Sequence, residues 1–169
     1  MGKSNKSRSK KPQKGFLYYL GNALIAISII SLIYIFAPVI STYLFPAPIK
    51  AQDELIGDFI TIPRINAQAP LIFNVDPWKE NVYKQVLKNG VAHAKGTSLP
   101  GERGRSFIFA HSSGNPLELT RYNTVFLKLG ELKKGDEIEI KRNNKVYVFV
   151  VSQTKIVWPS ETDYLKKSE

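Results

Sequence analysis

His93 and His111 are the only histidines in a chain of 169 residues that contains no cysteine. An imidazole titrates near neutral pH and can act as a general acid or base. An unplaced histidine is more often structural or merely exposed, so position must decide. His111 ends the apolar run Phe107-Ile108-Phe109-Ala110, where the sequence turns polar at Ser112-Ser113-Gly114. A rigid strand delivering a titratable group to a loop mouth suits acid–base chemistry.

Other chemistries find less support. Ser112 and Ser113 adjoin His111, but neighbours along a strand point to opposite faces. No Gly-x-Ser-x-Gly is present either. The two histidines are 18 positions apart, which is no recognised ligand spacing, and His-Glu-x-x-His is absent. Neither a metal nor a cofactor is expected. The acids are too scattered to favour or exclude a carboxylate pair. Without cysteine, disulfides and thiolate metal sites are excluded.

Short strands must position these residues. Phe59-Ile60-Thr61-Ile62 is apolar and β-branched, and Ala67 to Phe73 is a second run. Trp78, Val82, Val86 and Leu87 fall at helical spacing between Asp76-Pro77 and Asn89-Gly90, predicting a helix over 78–89. Ser106 to His111 reads as a strand, and Pro116 to Leu129 as partly helical. Ile138 and Ile140 alternate with charges from Asp136 to Lys141. Tyr147, Phe149 and Val151 alternate in Lys145 to Val157, and Asn143-Asn144 between them is a hairpin turn. Short strands joined by turns predict a small barrel or sandwich.

Ahead of these strands the composition changes. Six of the 24 basic residues lie in the first 14 positions, and no charge occurs from Gly15 to Ile49. A spanning helix needs about 20 apolar residues. The run from Phe16 to Val39 is long enough, and is longer than the ~7–15 residues of a signal peptide's apolar core. We read residues 1–15 as a basic cytoplasmic tail, 16–37 as a transmembrane helix and 38–56 as a linker opened by Pro38. Residues 57–169 form the folded domain, placed outside the cell by the positive-inside rule. Outside the tail 18 basic residues face 14 acidic ones. That balance, with no basic stripe among aromatics, implies no nucleic-acid partner. The tail itself suits anionic membrane lipid.

Several motifs in fixed order resemble the sortases, the membrane-anchored cysteine transpeptidases of bacterial cell surfaces. Ile62-Pro63-Arg64-Ile65 and Ala69-Pro70-Leu71-Ile72 look like that family's first two strands. Gly90-Val91-Ala92-His93, Gly96-Thr97 and Leu99-Pro100-Gly101-Glu102 resemble its Gly-Val-x-His and Gly-Thr-x-Leu-Pro-Gly-Glu segment. Phe109-Ala110-His111 is similar to the strand end that carries the catalytic histidine, with Ala110 where glycine is usual. Phe126, Leu129, Leu132, Gly135-Asp136-Glu137-Ile138 and Val157-Trp158-Pro159 with Leu165 continue the likeness. It runs from about Phe59 to Leu165. Leu99-Pro100-Gly101-Glu102 also looks superficially like a Leu-Pro-x-Thr-Gly sorting signal, but it is internal, lacks Thr-Gly and reads as a turn.

The resemblance implies a mainly β fold: a sortase-like β-barrel with short helices, preceded by one N-terminal transmembrane helix. It implies His111 as catalytic histidine and His93 as secondary. Its partners would be a sorting-signal peptide of surface proteins, a cell-wall or pilin amine acceptor, and membrane lipid. The family's cysteine and arginine lie on two later strands that this sequence does not contain. The expectation is a C-terminally incomplete domain, lacking the nucleophile and inactive as a transpeptidase. The alternative is a non-catalytic, membrane-anchored extracellular binding or scaffold domain.

Overall fold

The structure is a computed structural model that describes residues 15–111, 122 and 124–158. The chain divides into two units, Met1–Ala37 and Pro38–Glu169.

In the first unit the described residues after Gly15 belong to helix α1, Phe16–Leu44. Its stretch Phe16–Ala37 is long and apolar enough to cross a membrane, and none of it is buried by the protein. At about 1.5 Å per residue, 22 residues span roughly 33 Å, matching a hydrocarbon core of about 30 Å. Apolar side chains cover every face, so no single stripe packs against protein.

α1 does not stop at Pro38, where the sequence predicts a linker; it continues to Leu44. One lost backbone hydrogen bond is offset by contacts that hold the last turns. Thr42 donates to the Thr124 hydroxyl at 2.9 Å, and Lys128 Nζ sits 4.4 Å above the Tyr43 ring.

The second unit is built on one six-stranded sheet. Its strands are β1 Phe59–Ile62, β2 Ala67–Val75, β3 Val91–Ala94, β4 Ile108–Phe109, β5 Glu137–Arg142 and β6 Lys145–Val150. Their order is β4-β3-β2-β1-β5-β6. Every neighbouring pair is antiparallel except β2–β3. A parallel pair needs a crossover of a dozen or more residues. The chain supplies it through helix α2, Glu80–Leu87.

Local chemistry accounts for the turns. Asn66 takes the left-handed conformation (φ 53°) after the 3-10 turn Pro63–Ile65 and returns the chain from β1 to β2. Asn143 and Asn144 sit at φ 50° and 61°, the two positive values of a type I′ hairpin. Asp58 Oδ1 accepts the Asn143 N–H at 2.9 Å and ties that hairpin to the start of β1.

Ile60, Ile62, Ala69, Leu71, Val91 and Ile140 form the heart of the core, joined by Phe126 and Leu132. Gly90 permits the close β2–β3 approach, because a Cβ there would lie 2.3 Å from the Pro70 carbonyl oxygen.

The structure also differs from the sequence reading within the sheet unit. β3 carries no strand signal in the sequence reading, yet all four of its residues are buried. The helix predicted over 78–89 is shorter, and Trp78 is 72% exposed rather than part of its apolar face. That face is Leu87 with Tyr83 and Val86, packed on Val75 and Ala92. Half of 116–129 lies outside the described residues; the part described forms turns leading into a 3-10 turn, Leu129–Glu131.

The stretch between α1 and β1 is fastened down. Asn66 Nδ2 donates to the Ala47 carbonyl. Gln68 accepts the Lys50 N–H at 3.0 Å and donates to the Lys50 carbonyl at 2.9 Å. The buried Lys141 Nζ donates to the carbonyls of Gln52 (2.7 Å) and Leu55 (2.6 Å). A buried ammonium needs acceptors, and this backbone supplies them.

Candidate active site

β4 is only two residues long, and it ends two positions before His111. It is held by pairing with β3, Ala92 against Phe109 and His93 against Ile108. Ile108 packs on the main core, Phe109 on the α2 cluster and Ala110 on both. Packing on both sides anchors the strand and presents a half-buried His111 at its end, on the outer edge of the sheet. Residues 112–121 lie outside the described residues, so Ser112 and Ser113 have no structural account.

His93 occupies a different kind of site. It is fully buried on β3. Its Nδ1 accepts the Asn74 N–H at 3.4 Å, and its Nε2 lies 3.0 Å from the Ser98 carbonyl oxygen and 3.0 Å from Thr97 Oγ1. A carbonyl only accepts and a backbone N–H only donates, so the partners select the neutral Nε2–H tautomer. Thr97 Oγ1 donates to the Ala94 carbonyl at 2.8 Å and accepts the Phe107 N–H at 3.2 Å.

This arrangement has a local cause. The β2–β3 register shifts between Ile72 and Val75, and Asn74 there has φ 60°. The bulge turns the Asn74 N–H out of the ladder, and the His93 ring receives it. Burial pushes the His93 pKa below its usual 6.5, and nearby Arg142 adds to that, against the opposing pull of the Ser98 carbonyl and Glu102. A ring held neutral with both nitrogens engaged is a clip joining β2, β3 and the 97–107 loop.

Arg142 was not singled out by the sequence. It donates to the Pro100 carbonyl at 2.9 Å and to Glu102 at 3.2 Å, fastening the Leu99-Pro100-Gly101-Glu102 turn beside β6. Gly101 has φ +90°, and a Cβ there would meet the Tyr147 ring at 2.2 Å. The turn reading of that segment is correct, and its glycine is needed for the close approach of Tyr147. No pattern in the sequence flags Arg142, since its partners lie 40 or more residues away.

The structure thus separates the two imidazoles, one as a fully engaged internal clip and one at a strand end. Among solved structures the chain is similar to sortase C-1 of Actinomyces oris, with 27% identity over 76% of this chain and 70% of that one, and a TM-score of 0.53. It is also similar to a Clostridium perfringens sortase D5 transpeptidase, with 25% identity over 69% and 67% of the two chains and a TM-score of 0.51. In sequence it is 27% identical over 119 residues to sortase D of Bacillus subtilis (strain 168). That match takes in 70% of this chain, which spans about half (52%) of the curated relative. The family model described as the sortase domain matches residues 60–169, nearly all of the folded unit, and the chain belongs to the sortase family.

Proposed function

We propose that this chain is the membrane-anchored, histidine-bearing part of a sortase-type transpeptidase, with His111 as its acid–base group. The observation that carries the reading is the sortase match over 60–169 together with His111 at the end of β4. The basic tail stays in the cytoplasm, Phe16–Ala37 crosses the membrane, and the folded unit works outside.

In the proposed reaction a thiolate attacks the carbonyl of a sorting-signal peptide. The peptide C–N bond breaks, and the imidazolium of His111 gives its proton to the leaving amine. A cell-surface amine then attacks the thioacyl carbon. His111 takes up the amine's proton as the C–S bond breaks and a new amide forms. These 169 residues hold no cysteine, so the thiolate comes from outside them and the chain by itself does not cleave.

The test has two steps. The gene is read downstream of the Glu169 codon for an in-frame cysteine strand followed by an arginine. The protein encoded there is then compared with its His111→Ala form on a sorting-signal peptide. Loss of cleavage by at least a thousandfold with an unchanged fold supports the role of His111. Retained cleavage refutes it. A stop codon, with no cleavage by the 169-residue chain, favours an extracellular binding domain instead.

A further inference from the structure

A pocket of about 330 Å³ lies where the last turns of α1 meet the turn between β1 and β2. That is an ordinary size for a small-ligand site, which runs to about 300–1,000 Å³. Ser41 and Thr42 of α1 line one wall, Asn66 of the β1–β2 turn another, and Thr124 and Lys128 a third. Every lining residue belongs to the unit Pro38–Glu169.

With Phe16–Ala37 across a bilayer, length along α1 sets the depth of this pocket. Ser41 and Thr42 follow Ala37, the last residue of the apolar span, by four and five positions on the same helix. At about 1.5 Å per residue they stand roughly 6–8 Å beyond it. The headgroup layer adds about 5–8 Å to each side of the hydrocarbon core, so these two residues stand at the level of the lipid phosphates. Tyr43, 52% exposed on the same turn, is a residue type enriched at that level.

The lining carries one sign of charge. Among its described residues Lys128 is the only charged one, and no carboxylate is present. Lys128 is half-buried. Its ammonium lies over the Tyr43 ring and has no acid within ion-pair distance among the described residues. The C-terminus of α1 carries about half a negative charge, against a full positive charge on the lysine, so the net sign stays positive. Neutral donors stand with it. Thr124 accepts the Thr42 hydroxyl and keeps its own O–H to donate. Asn66 gives one amide N–H to the Ala47 carbonyl and has a second to give.

We propose that this pocket binds the headgroup phosphate of an anionic membrane phospholipid. Lys128 supplies the charge, and the Thr124 hydroxyl and Asn66 amide supply hydrogen bonds. Phe45, 78% exposed and part of the lining, gives the lipid's acyl chains an apolar contact that a dissolved phosphate would not use. A zwitterionic headgroup fits less well, because its quaternary ammonium would meet Lys128 and find no carboxylate. The inference rests on the reading that Phe16–Ala37 crosses the membrane and is independent of the role of His111.

The test uses the full chain in nanodiscs of phosphatidylcholine doped with phosphatidylglycerol that carries a photoreactive diazirine on its headgroup. Crosslinked residues are mapped by mass spectrometry. Crosslinks are expected on 122–128 as well as on 41–48. Lys128→Gln should lower those on 122–128 at least tenfold, and Lys128→Arg should keep them. Crosslinks to the basic tail, residues 1–14, should be the same in both variants and give the internal reference. Equal labelling of 122–128 in wild type and Lys128→Gln overturns the proposal, as does equal labelling by the same diazirine carried on phosphatidylcholine. Loss of that labelling on adding excess inorganic phosphate overturns it in favour of a dissolved anion. A chain that does not co-elute with the discs overturns the membrane reading and this proposal together. Co-elution without crosslinks on 122–128 overturns this proposal alone.

Discussion

Replacing His93 by Gln tests whether the buried imidazole is a neutral clip. Gln keeps one donor and one acceptor but cannot titrate. Its shorter reach leaves either the Asn74 N–H or the Ser98 carbonyl without its partner. An orphaned buried group costs about 1–3 kcal/mol, so the variant is expected to be less stable by about 2 kcal/mol at pH 8. Acid changes the comparison. The folded pKa of His93 lies below its ordinary 6.5 because burial disfavours the charged ring. The stabilisation from the neutral ring is therefore complete above about pH 6.5 and is lost as pH falls from there toward the folded value. The loss runs at up to about 1.4 kcal/mol per pH unit for one proton. Protonation at Nδ1 would set a second donor against the Asn74 N–H. Wild type and His93→Gln should therefore converge between pH 6.5 and 5. The assay is urea unfolding of the full chain in detergent micelles, followed by near-ultraviolet circular dichroism at pH 5, 6, 7 and 8. A stability gap that stays constant across that range would refute the reasoning, because the ring would then not be held neutral by burial.

Three further outcomes are expected. Gly90→Ala should destabilise by about 2–4 kcal/mol, since its Cβ would meet the Pro70 carbonyl oxygen at 2.3 Å and force β2 and β3 apart; the same unfolding assay reads it. Lys141→Met keeps the apolar stem and removes the ammonium that holds Gln52 and Leu55, so amide exchange and proteolysis within 50–56 should speed up at least tenfold while β1 stays protected. Gly101→Ala puts a side chain at φ +90° and into the Tyr147 ring; it should cost about 1–3 kcal/mol and shift the tyrosine signal in near-ultraviolet circular dichroism.

Local pattern made β1, β5 and the β5–β6 hairpin legible, because alternation and an Asn-Asn turn are encoded within a few residues. β3 was not legible. Val91-Ala92-His93-Ala94 is buried on both faces, so it carries no alternation and contains a histidine that reads as chemistry. The family motifs were readable as an ordered set, yet many of their letters turn out to be packing residues: Ile62, Ile65, Leu71, Val91, Phe126 and Leu132 all lie in the core. The separation of His93 from His111 needed the bulge at Asn74. An asparagine in an apolar strand is a faint sign of such a break. Pro38 misled because local propensity ends helices at proline, whereas the contacts of Thr42 and Tyr43 carry α1 two turns further. The anchoring of residues 47–55 depends on Gln68 and Lys141, partners that lie 18 to 89 positions away, beyond the reach of any local pattern.

That anchoring has a kinetic consequence. A free ten-residue segment would wander with a root-mean-square reach of about 17 Å, by the random-coil scaling of roughly 5–6 Å times the square root of length. With Ala47, Lys50, Gln52 and Leu55 stitched to the sheet, that length is withdrawn from the search. The stretch from Ala47 to Leu55 then opens only when its contacts with the sheet do. Lys141, one buried cation, thereby makes part of the sheet's own stability out of residues that carry no strand or helix of their own.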